Sequence, residues 1–380
     1  MTPGALAGLK VVDFSTLLPG PMASLFLVEA GADVIKIERP GHGDEMRNYQ
    51  PKWGSDSVNF ALLNRGKQSV ALDLKDPAAR DRLTPLLAEA DVIIEQFRPG
   101  VMDRLGLGYA DVCVPNPDII YCSVTGYGQT GPKSDRAGHD MNYIGDTGLL
   151  ALGSGPAGTP VLPPALIADI AGGTYPAVVN ILLALLARNA GKGGVHIDVS
   201  MADNLFPFMY WAMGNGLAAG QWPGNGDALV TGGSPRYRLY PTSDGRLLAA
   251  APIEPKFWAC FTEAIGLEAA LRDDAIDPAA TTAGVAALIA AQTANYWDDV
   301  FARADCCCTI VRTVEEAIKD PHFRARGLFD HRVSNPEGAS LVALPVPVAP
   351  PLRNMRHDAA SPRLGVDTDT LLSSASAGGA

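Results

Sequence analysis

Two side chains in this sequence stand out as possible acid–base groups: His139, in a Gly-His-Asp turn, and Asp169, at the start of a predicted helix. An imidazole titrates near neutral pH, and burial raises the pKa of a carboxyl group toward the same range, so such a pair can remove and return protons. Taken alone, a histidine in such a turn is more often structural, and an aspartate at a helix start is more often a cap. The surrounding sequence must therefore decide their roles.

The signature motifs of several other enzyme classes are absent. Residues 15–20, after the first predicted strand, lack the Gly-x-Gly-x-x-Gly pattern of dinucleotide sites, and the sequence contains neither a P-loop nor a Gly-x-Ser-x-Gly elbow. The six histidines lack metal-ligand spacing, and the consecutive Cys306, Cys307 and Cys308 suit packing better than a disulfide framework or a metal site. These absences disfavour nicotinamide, kinase-like, zinc and serine-hydrolase chemistry.

Composition predicts a large globular protein in a reducing, cytoplasmic setting. The 380 residues are 47% hydrophobic, which is enough for two domains, and the net charge of -11 disfavours a general role on nucleic acid. No secretory signal is apparent at the N-terminus. The strongest apolar run, residues 177–187, is shorter than the roughly 20 residues that cross a bilayer, so we expect a buried helix there and no membrane partner.

Short β-rich runs alternate with helical patterns along the first half of the chain. This alternation predicts an α/β fold with a doubly wound, parallel sheet in a large domain of residues 1–200. The predicted strands are 9–14, 34–37, 69–74, 91–95, 119–124 and 195–199, and the predicted helices include 22–29 and 165–187. Residues 201–234 read as a linker, and residues 235–330 as a smaller α+β domain with strands 237–240 and 247–251 and helices 256–265 and 282–304.

Four segments, taken in order, carry a family resemblance. They are AGADVIKIERP at 30–40, FRPGV with RLG at 97–106, TGYGQTGP at 125–132 and ADIAGG at 168–173. Together they resemble the class III CoA-transferase family, also called the CaiB/BaiF family, across essentially the whole chain. The resemblance implies the fold of that family, an interlocked homodimer, and a large domain completed by about residues 331–380.

Within that family, residues 137–143 resemble the α-methylacyl-CoA racemases. In those enzymes a histidine follows the glycine and carries one proton, and the matching residue here is His139. The family's aspartate, here Asp169, carries the second proton, and Glu254 matches a glutamate that supports the histidine. The resemblance thus implies a 2-methylacyl-CoA racemase that acts through an enolate, with no metal or nicotinamide cofactor and with CoA bound as part of the substrate.

The same resemblance implies a CoA-binding surface. The basic residues at the family's CoA-contacting positions are Arg39, Lys75, Arg98 and Arg104, and guanidinium groups suit bidentate phosphate contacts. The remaining expected CoA contacts are Leu72, Asp73, Leu74, Gln96, Phe97, Gly138, Asp140, Met141, Asn142 and Tyr143. We also expect free backbone N–H groups at the start of the Asp169 helix to face the enolate oxygen, with Gly172 and Gly173 allowing the substrate to approach closely.

Two alternatives remain open. The longer segment from Asp44 to Lys67 looks more like the transferases, and residues 232–237 read GGSPRY where racemases tend to carry GGAPYY. In a CoA transferase, Asp169 would attack the thioester and form an acyl anhydride. A non-catalytic acyl-CoA-binding protein would keep the basic residues and tolerate loss of His139.

Overall fold

A six-stranded, all-parallel sheet forms the centre of the larger part of the molecule. The computed structural model describes residues 4–155, 159–354 and 358–374. The strands of this sheet are β1 (Lys10–Asp13), β2 (Asp33–Glu38), β3 (Gln68–Ala71), β4 (Val92–Glu95), β5 (Ile120–Thr125) and β6 (Val195–Ser200), in the spatial order β3-β2-β1-β4-β5-β6. This is the strand order of a doubly wound dinucleotide-type fold. The prediction of a doubly wound parallel sheet is therefore confirmed.

The sequences of these strands explain why the sheet is buried on both faces. Runs such as Val-Ile-Ile in β4 and Ile-Tyr-Cys-Ser-Val in β5 consist of side chains that are almost wholly buried. Parallel strands covered by helices on both faces read as continuous apolar runs, which is the pattern found here.

The connecting helices lie in chain order between and after the strands. The α-helices are α1 (Pro19–Glu29), α2 (Val58–Asn64), α3 (Pro77–Asp81), α4 (Thr84–Ala88), α5 (Val101–Arg104), α6 (Tyr109–Val112), α7 (Asp140–Asp146), α8 (Tyr175–Asn189), α9 (Tyr210–Ala219), α10 (Pro255–Ala264), α11 (Pro278–Ala290), α12 (Ala294–Phe301), α13 (Val314–Ala317), α14 (Pro321–Ala325) and α15 (Thr368–Ser374). Short 3₁₀ turns span Glu45–Asn48, Leu150–Leu152, Asp203–Met209, Leu229–Thr231, Ala269–Leu271 and Pro350–Leu352, and a π-helix spans Ala168–Thr174. A hairpin pairs Lys52–Trp53 with Asp56–Ser57.

The chain divides into two compact units. The first comprises the chain up to Thr147, Ala165–Pro207 and the chain from Pro321 onward, and the second comprises Gly148–Pro164 and Phe208–Asp320. The first unit carries a small second sheet, β10 (Arg332–Ser334), β11 (Ser340–Val342) and β12 (Asp358–Ala360). Residues 148–164 thus belong to the second unit and residues 321–330 to the first, whereas the sequence pattern placed both segments in the other domain.

The second unit is built on a three-stranded antiparallel sheet. Its strands are β7 (Arg238–Pro241), β8 (Leu247–Ala250) and β9 (Cys308–Ile310), in the order β9-β8-β7. The predicted helix 282–304 is wrong as a single element, because α11 ends at Ala290 and α12 begins after Thr293. The Thr293 hydroxyl accepts the Tyr296 N–H as an N-cap, which starts a new helix shortly after the alanine-rich α11.

The apolar segment Ala168–Asn189 is long and apolar enough, by length and composition alone, to cross a bilayer. In the structure it contacts β5, β6 and α1, and Ala177 and Ile181 are fully buried against these elements. The core helix of a globular domain passes the same length and composition test. The predicted helix 177–187 is therefore present but buried on one side only, since Val179, Leu182, Leu183 and Leu186 remain exposed.

Gly172 allows this helix to pack closely on the chain that follows β6. A Cβ atom at Gly172 would lie 2.3 Å from the carbonyl oxygen of Met201. The backbone of Met201 is itself fixed, because its N–H donates to the carbonyl oxygen of Thr125. We expect Gly172→Ala to lower the free energy of unfolding by about 2–3 kcal/mol, because backbone cannot yield as a flexible side chain can. Urea unfolding of the variant and of wild type measures this change in the free energy of unfolding.

Gly145→Ala provides the matched control in the same unit. A Cβ atom at Gly145 on α7 would meet open space, so this variant should match the wild-type free energy of unfolding or exceed it by up to about 1 kcal/mol. Equal effects of the two substitutions would contradict the packing account.

Candidate functional site

The candidate site lies at the carboxyl ends of the central strands. Neighbouring strands β1 and β4 send their connections to opposite sides of the sheet, and ligands in doubly wound folds bind at this switch point. Leu17 and Pro19 follow β1, and Gln96 follows β4, where its side-chain oxygen accepts the Gly20 N–H at 3.1 Å. Leu17 is held at φ 62°, a left-handed conformation that is rare for a branched residue and often found beside functional sites.

A cavity of about 450 Å³ opens there. Eight of the predicted site residues line it, and they come from three separate stretches of sequence: Gln96, Phe97, Arg98, Gly138, His139, Asn142, Tyr143 and Asp169. The structure therefore brings both predicted acid–base groups to one cavity.

The backbone of His139 is fixed by the helix that follows it. His139 precedes α7, and its N–H donates to the Asn142 side-chain oxygen at 3.0 Å while its carbonyl accepts the Asn142 N–H at 2.8 Å. The Tyr143 hydroxyl donates to the Gly138 carbonyl at 2.5 Å, and a Cβ atom at Gly138 would lie 2.7 Å from the Tyr143 ring. These contacts hold the Gly138–His139 turn against α7 and leave the imidazole exposed at the cavity.

The Asp140 carboxylate connects this turn to the segment that carries Asp169. Its Oδ1 atom accepts the N–H of Ala168 at 2.6 Å and the N–H of Asp169 at 3.1 Å, and the residue is buried. Burial raises the pKa of Asp140, and the two N–H groups oppose that rise. Asp140 was predicted to contact CoA, but in the structure its carboxylate holds the Asp169 backbone.

Asp169 has the electrostatic environment of a general base that works near neutral pH. Burial raises its pKa to about 6, the Asp140 carboxylate adds to the rise, and the nearby His139 imidazole opposes it. Burial also raises the pKa of Tyr143 to about 12, so its hydroxyl keeps its proton. A carboxyl group with a pKa near 6 can both take up and release a proton at physiological pH.

Asp169 lies in a π-helix rather than in the first turns of an α-helix. Ala168–Thr174 forms the π-helix, and α8 continues from Tyr175. The Asn204 amide donates to the Gly172 carbonyl at 2.9 Å, and the Thr174 hydroxyl donates to the Pro19 carbonyl at 2.9 Å, which ties the segment to its neighbours. Single π-helical turns of this kind are frequently found at functional sites.

The expectation that free N–H groups at this helix start face an enolate oxygen is wrong. The N–H groups of Ala168 and Asp169 both donate to Asp140, and the Ile170 N–H donates to the Leu166 carbonyl. These groups already have partners within the fold, because a buried aspartate from α7 reaches them.

The other predicted CoA contacts lie outside this cavity. The four side chains Arg39, Asp73, Lys75 and Arg104 are exposed, as is Met141. Leu74 is half-buried, and its carbonyl accepts a hydrogen bond from Arg80. Leu72 is buried in the core under the sheet, so its side chain cannot reach solvent. Their roles in CoA binding remain predictions.

Glu254 belongs to the second compact unit. It is the exposed residue before α10, and its carboxylate makes no capping hydrogen bond with that helix. The carboxylate is therefore not used by the helix that it precedes, and its role in orienting His139 remains a prediction.

Sequence reasoning missed several residues that line the cavity. Arg136 stands three residues before His139 and adds a second guanidinium group to that of Arg98. Leu17, Ser134 and Met201 also line the wall. Arg136 could have been predicted as a site residue, because it stands next to the segment 137–143. Leu17 and Met201 could not, because they line the cavity only as a result of the order of the strands in the sheet.

Comparison with known proteins identifies the family. The family model described as CoA-transferase family III matches residues 6–368. This chain belongs to CoA-transferase family III. The resemblance read from the four sequence segments is confirmed, and so is the fold: a CaiB/BaiF family protein from Brucella suis superposes with a TM-score of 0.82 over 98% of this chain and 100% of that one, at 29% identity.

This family III chain is similar to both racemases and transferases. It is 35% identical over 331 residues to the mouse α-methylacyl-CoA racemase, covering 85% of this chain and 82% of that protein. It is 32% identical over 381 residues to a succinate–glutarate CoA-transferase of Agrobacterium fabrum, covering 95% of this chain and 93% of that protein. The chain is thus an enzyme of the family III transferase and racemase group.

The pKa of Asp169 predicts a pH-dependent stability difference. Between pH 3.8 and about 6 the unfolded chain releases a proton that the folded chain keeps, so stability falls as pH rises through this range and stays lower above it. We expect Asp169→Asn to raise the free energy of unfolding at pH 8 by about 1–2 kcal/mol, discounted for partial exposure, and to change it little at pH 4. Urea unfolding at the two pH values measures the difference.

Asp135→Asn is the control, because Asp135 is an exposed aspartate on the same loop as His139. If Asp169→Asn is no more stabilising at pH 8 than at pH 4, the Asp169 carboxyl is not buried in the way described.

Proposed function

We propose that this protein is a 2-methylacyl-CoA racemase, which removes the proton from the α-carbon of an acyl-CoA thioester and returns one to the opposite face. The observation that carries the proposal is that His139 and Asp169 line one cavity, with the imidazole near enough to lower the pKa of the carboxyl group. Inversion needs two proton carriers, since the proton leaves one face and another arrives at the other.

The chemistry of the two groups fits this reaction. When Asp169 takes the α-proton, the electron pair of the C–H bond moves into the thioester to form the enolate, and the protonated His139 delivers a proton to the other face. The opposite enantiomer uses the same groups in reverse. One group must start deprotonated and the other protonated, and a carboxyl group with a pKa of about 6 can start in either form near neutral pH.

Charge around the cavity supports an anionic, CoA-bearing substrate. Arg98 and Arg136 line the cavity, and Arg39, Lys75 and Arg104 are exposed cations of the same unit, although the chain has a net charge of -11. Guanidinium groups bind phosphate oxygens well. The mouse and human α-methylacyl-CoA racemases, 35% and 34% identical to this chain over 85% and 86% of its length, also support the proposal.

The remaining proposals concern assembly and location. We propose that Glu254 orients His139 and that the protein works as an interlocked homodimer in the cytoplasm, with no metal or nicotinamide cofactor. The apolar side chains that α8 leaves exposed support a partner subunit, since such a stripe is costly in water: Val179, Leu182, Leu183 and Leu186.

Deuterium exchange tests the racemase directly. With (2R)-2-methylacyl-CoA in deuterated water, we expect deuterium at the α-carbon together with loss of optical purity, because the returned proton comes from a group that exchanges with solvent. His139→Ala should slow racemisation by about 10²–10⁴-fold, the usual contribution of a positioned general acid or base. Mass spectrometry and chiral analysis of the product measure both quantities.

The exposed His42 offers a matched control, and His42→Ala should leave racemisation unchanged. Wild-type protein that binds the thioester without exchanging its α-proton would contradict the racemase proposal.

A CoA transferase is the second candidate, and one observation favours it. The Agrobacterium transferase matches 95% of this chain, and Asp169 could attack the thioester carbonyl, form a mixed anhydride and release CoA as its thiolate. In that case, incubation with acyl-CoA and hydroxylamine should convert Asp169 to its hydroxamate and add 15 Da to one peptide, and His139→Ala should keep the activity. Under the racemase proposal we expect no modified peptide.

A further inference from the structure

A second cavity, of about 410 Å³, lies next to the candidate site in the same unit. Arg98 and Pro99 line both cavities, so the loop after β4, residues 96–100, separates them. The wall of the second cavity contains a buried carboxyl group, Glu95, which the proposed reaction does not use.

Three polar side chains on neighbouring strands lead from Glu95 toward the surface. Glu95 ends β4, Ser123 stands beside it on β5, and His196 lies on the edge strand β6. The Ser123 hydroxyl is close enough to Glu95 to lower the pKa of its carboxyl group, and it lies 2.9 Å from Nε2 of His196. Glu95 and Ser123 are almost wholly buried, whereas His196 is exposed. The serine therefore stands between the buried carboxyl group and the exposed imidazole.

The same carboxyl group holds the loop that enters the candidate site. Oε2 of Glu95 accepts the Phe97 N–H at 2.8 Å, and Phe97 and Arg98 line the first cavity. An ionised acceptor makes a stronger hydrogen bond than a neutral one. Ionisation of Glu95 should therefore hold the loop more firmly.

We infer that Glu95 is a positioning residue for the 96–100 loop and that Ser123 and His196 form its proton path to solvent, so that the affinity of the first cavity for the CoA moiety follows the protonation of Glu95. This inference rests on the proposed acyl-CoA function. Glu95 touches no substrate and acts through Phe97 and Arg98.

The groups around Glu95 shift the pKa of its carboxyl group toward neutral pH. Burial raises the pKa of Glu95 to about 7, with Asp103 from α5 and Asp198 from β6 adding to the rise and the Ser123 hydroxyl and the Phe97 N–H opposing it. Burial also lowers the pKa of His196, and a neutral imidazole can donate to the serine or accept from it according to its tautomer. The other ionisable or charged groups on this cavity are Arg98, Tyr109 and Tyr121.

Calorimetric titration with a non-reactive thioether analogue of acyl-CoA, at pH 6 and pH 8, tests the inference. The second ionisation of a phosphate group falls near pH 6 and affects every variant alike. The informative quantity is therefore the ratio of the affinities at pH 8 and pH 6, compared between each variant and wild type. We expect wild-type affinity to rise about fivefold more between the two pH values than the affinity of Glu95→Gln, whose side chain cannot ionise. Glu263→Gln, at an exposed site in the second unit, should behave as wild type.

Ser123→Ala supplies a second readout that does not depend on Glu95→Gln folding. Loss of the serine hydroxyl removes a nearby polar group that lowers the pKa of Glu95, so the midpoint of the pH dependence should move upward. An unchanged midpoint, or a Glu95→Gln protein with the pH dependence of wild type, overturns the inference and leaves the acyl-CoA proposal standing. If wild-type protein binds no CoA thioether at either pH, the proposed function fails and the inference falls with it.

Discussion

The carboxylate of Asp140 fixes the positions of the two candidate proton carriers relative to each other. Asp140 follows His139 directly in the chain, and its Oδ1 atom accepts the backbone N–H of Asp169 from a segment almost thirty residues away. Burying a carboxylate is costly unless donors satisfy it, and the N–H groups of Ala168 and Asp169 do so. The position of one acid–base group is thereby coupled to that of the other, as a reaction on two faces of one carbon requires.

A buried ion pair supports the other wall of the same cavity. Lys36 and Asp44 pair at 2.9 Å without contact with solvent, Lys36 donates to the Ser15 carbonyl at 2.7 Å, and Asp44 accepts the Leu17 N–H at 3.0 Å. Buried pairs of this kind add little net stability and are better explained by the conformation that they fix. Here they fix the loop after β1, including the left-handed Leu17.

The features that could be predicted from the sequence are those that depend on a local hydrophobic pattern or on a segment typical of the family. Strands buried on both faces were predicted to within a few residues, and His139 and Asp169 were identified from their segments. Contacts between distant segments were not predictable, because nothing near Asp140 or Ala168 in the sequence indicates that the two meet. The break at Thr293 was missed because no glycine or proline separates the two helical stretches on either side of it.

A crystal structure with a non-reactive 2-methylacyl-CoA thioether in the cavity would show whether the two groups flank one carbon atom. We expect the His139 imidazole and the Asp169 carboxylate to approach the α-carbon from opposite faces, each within about 3–3.5 Å. An α-carbon that contacts only Asp169, or both groups on one face, would contradict it.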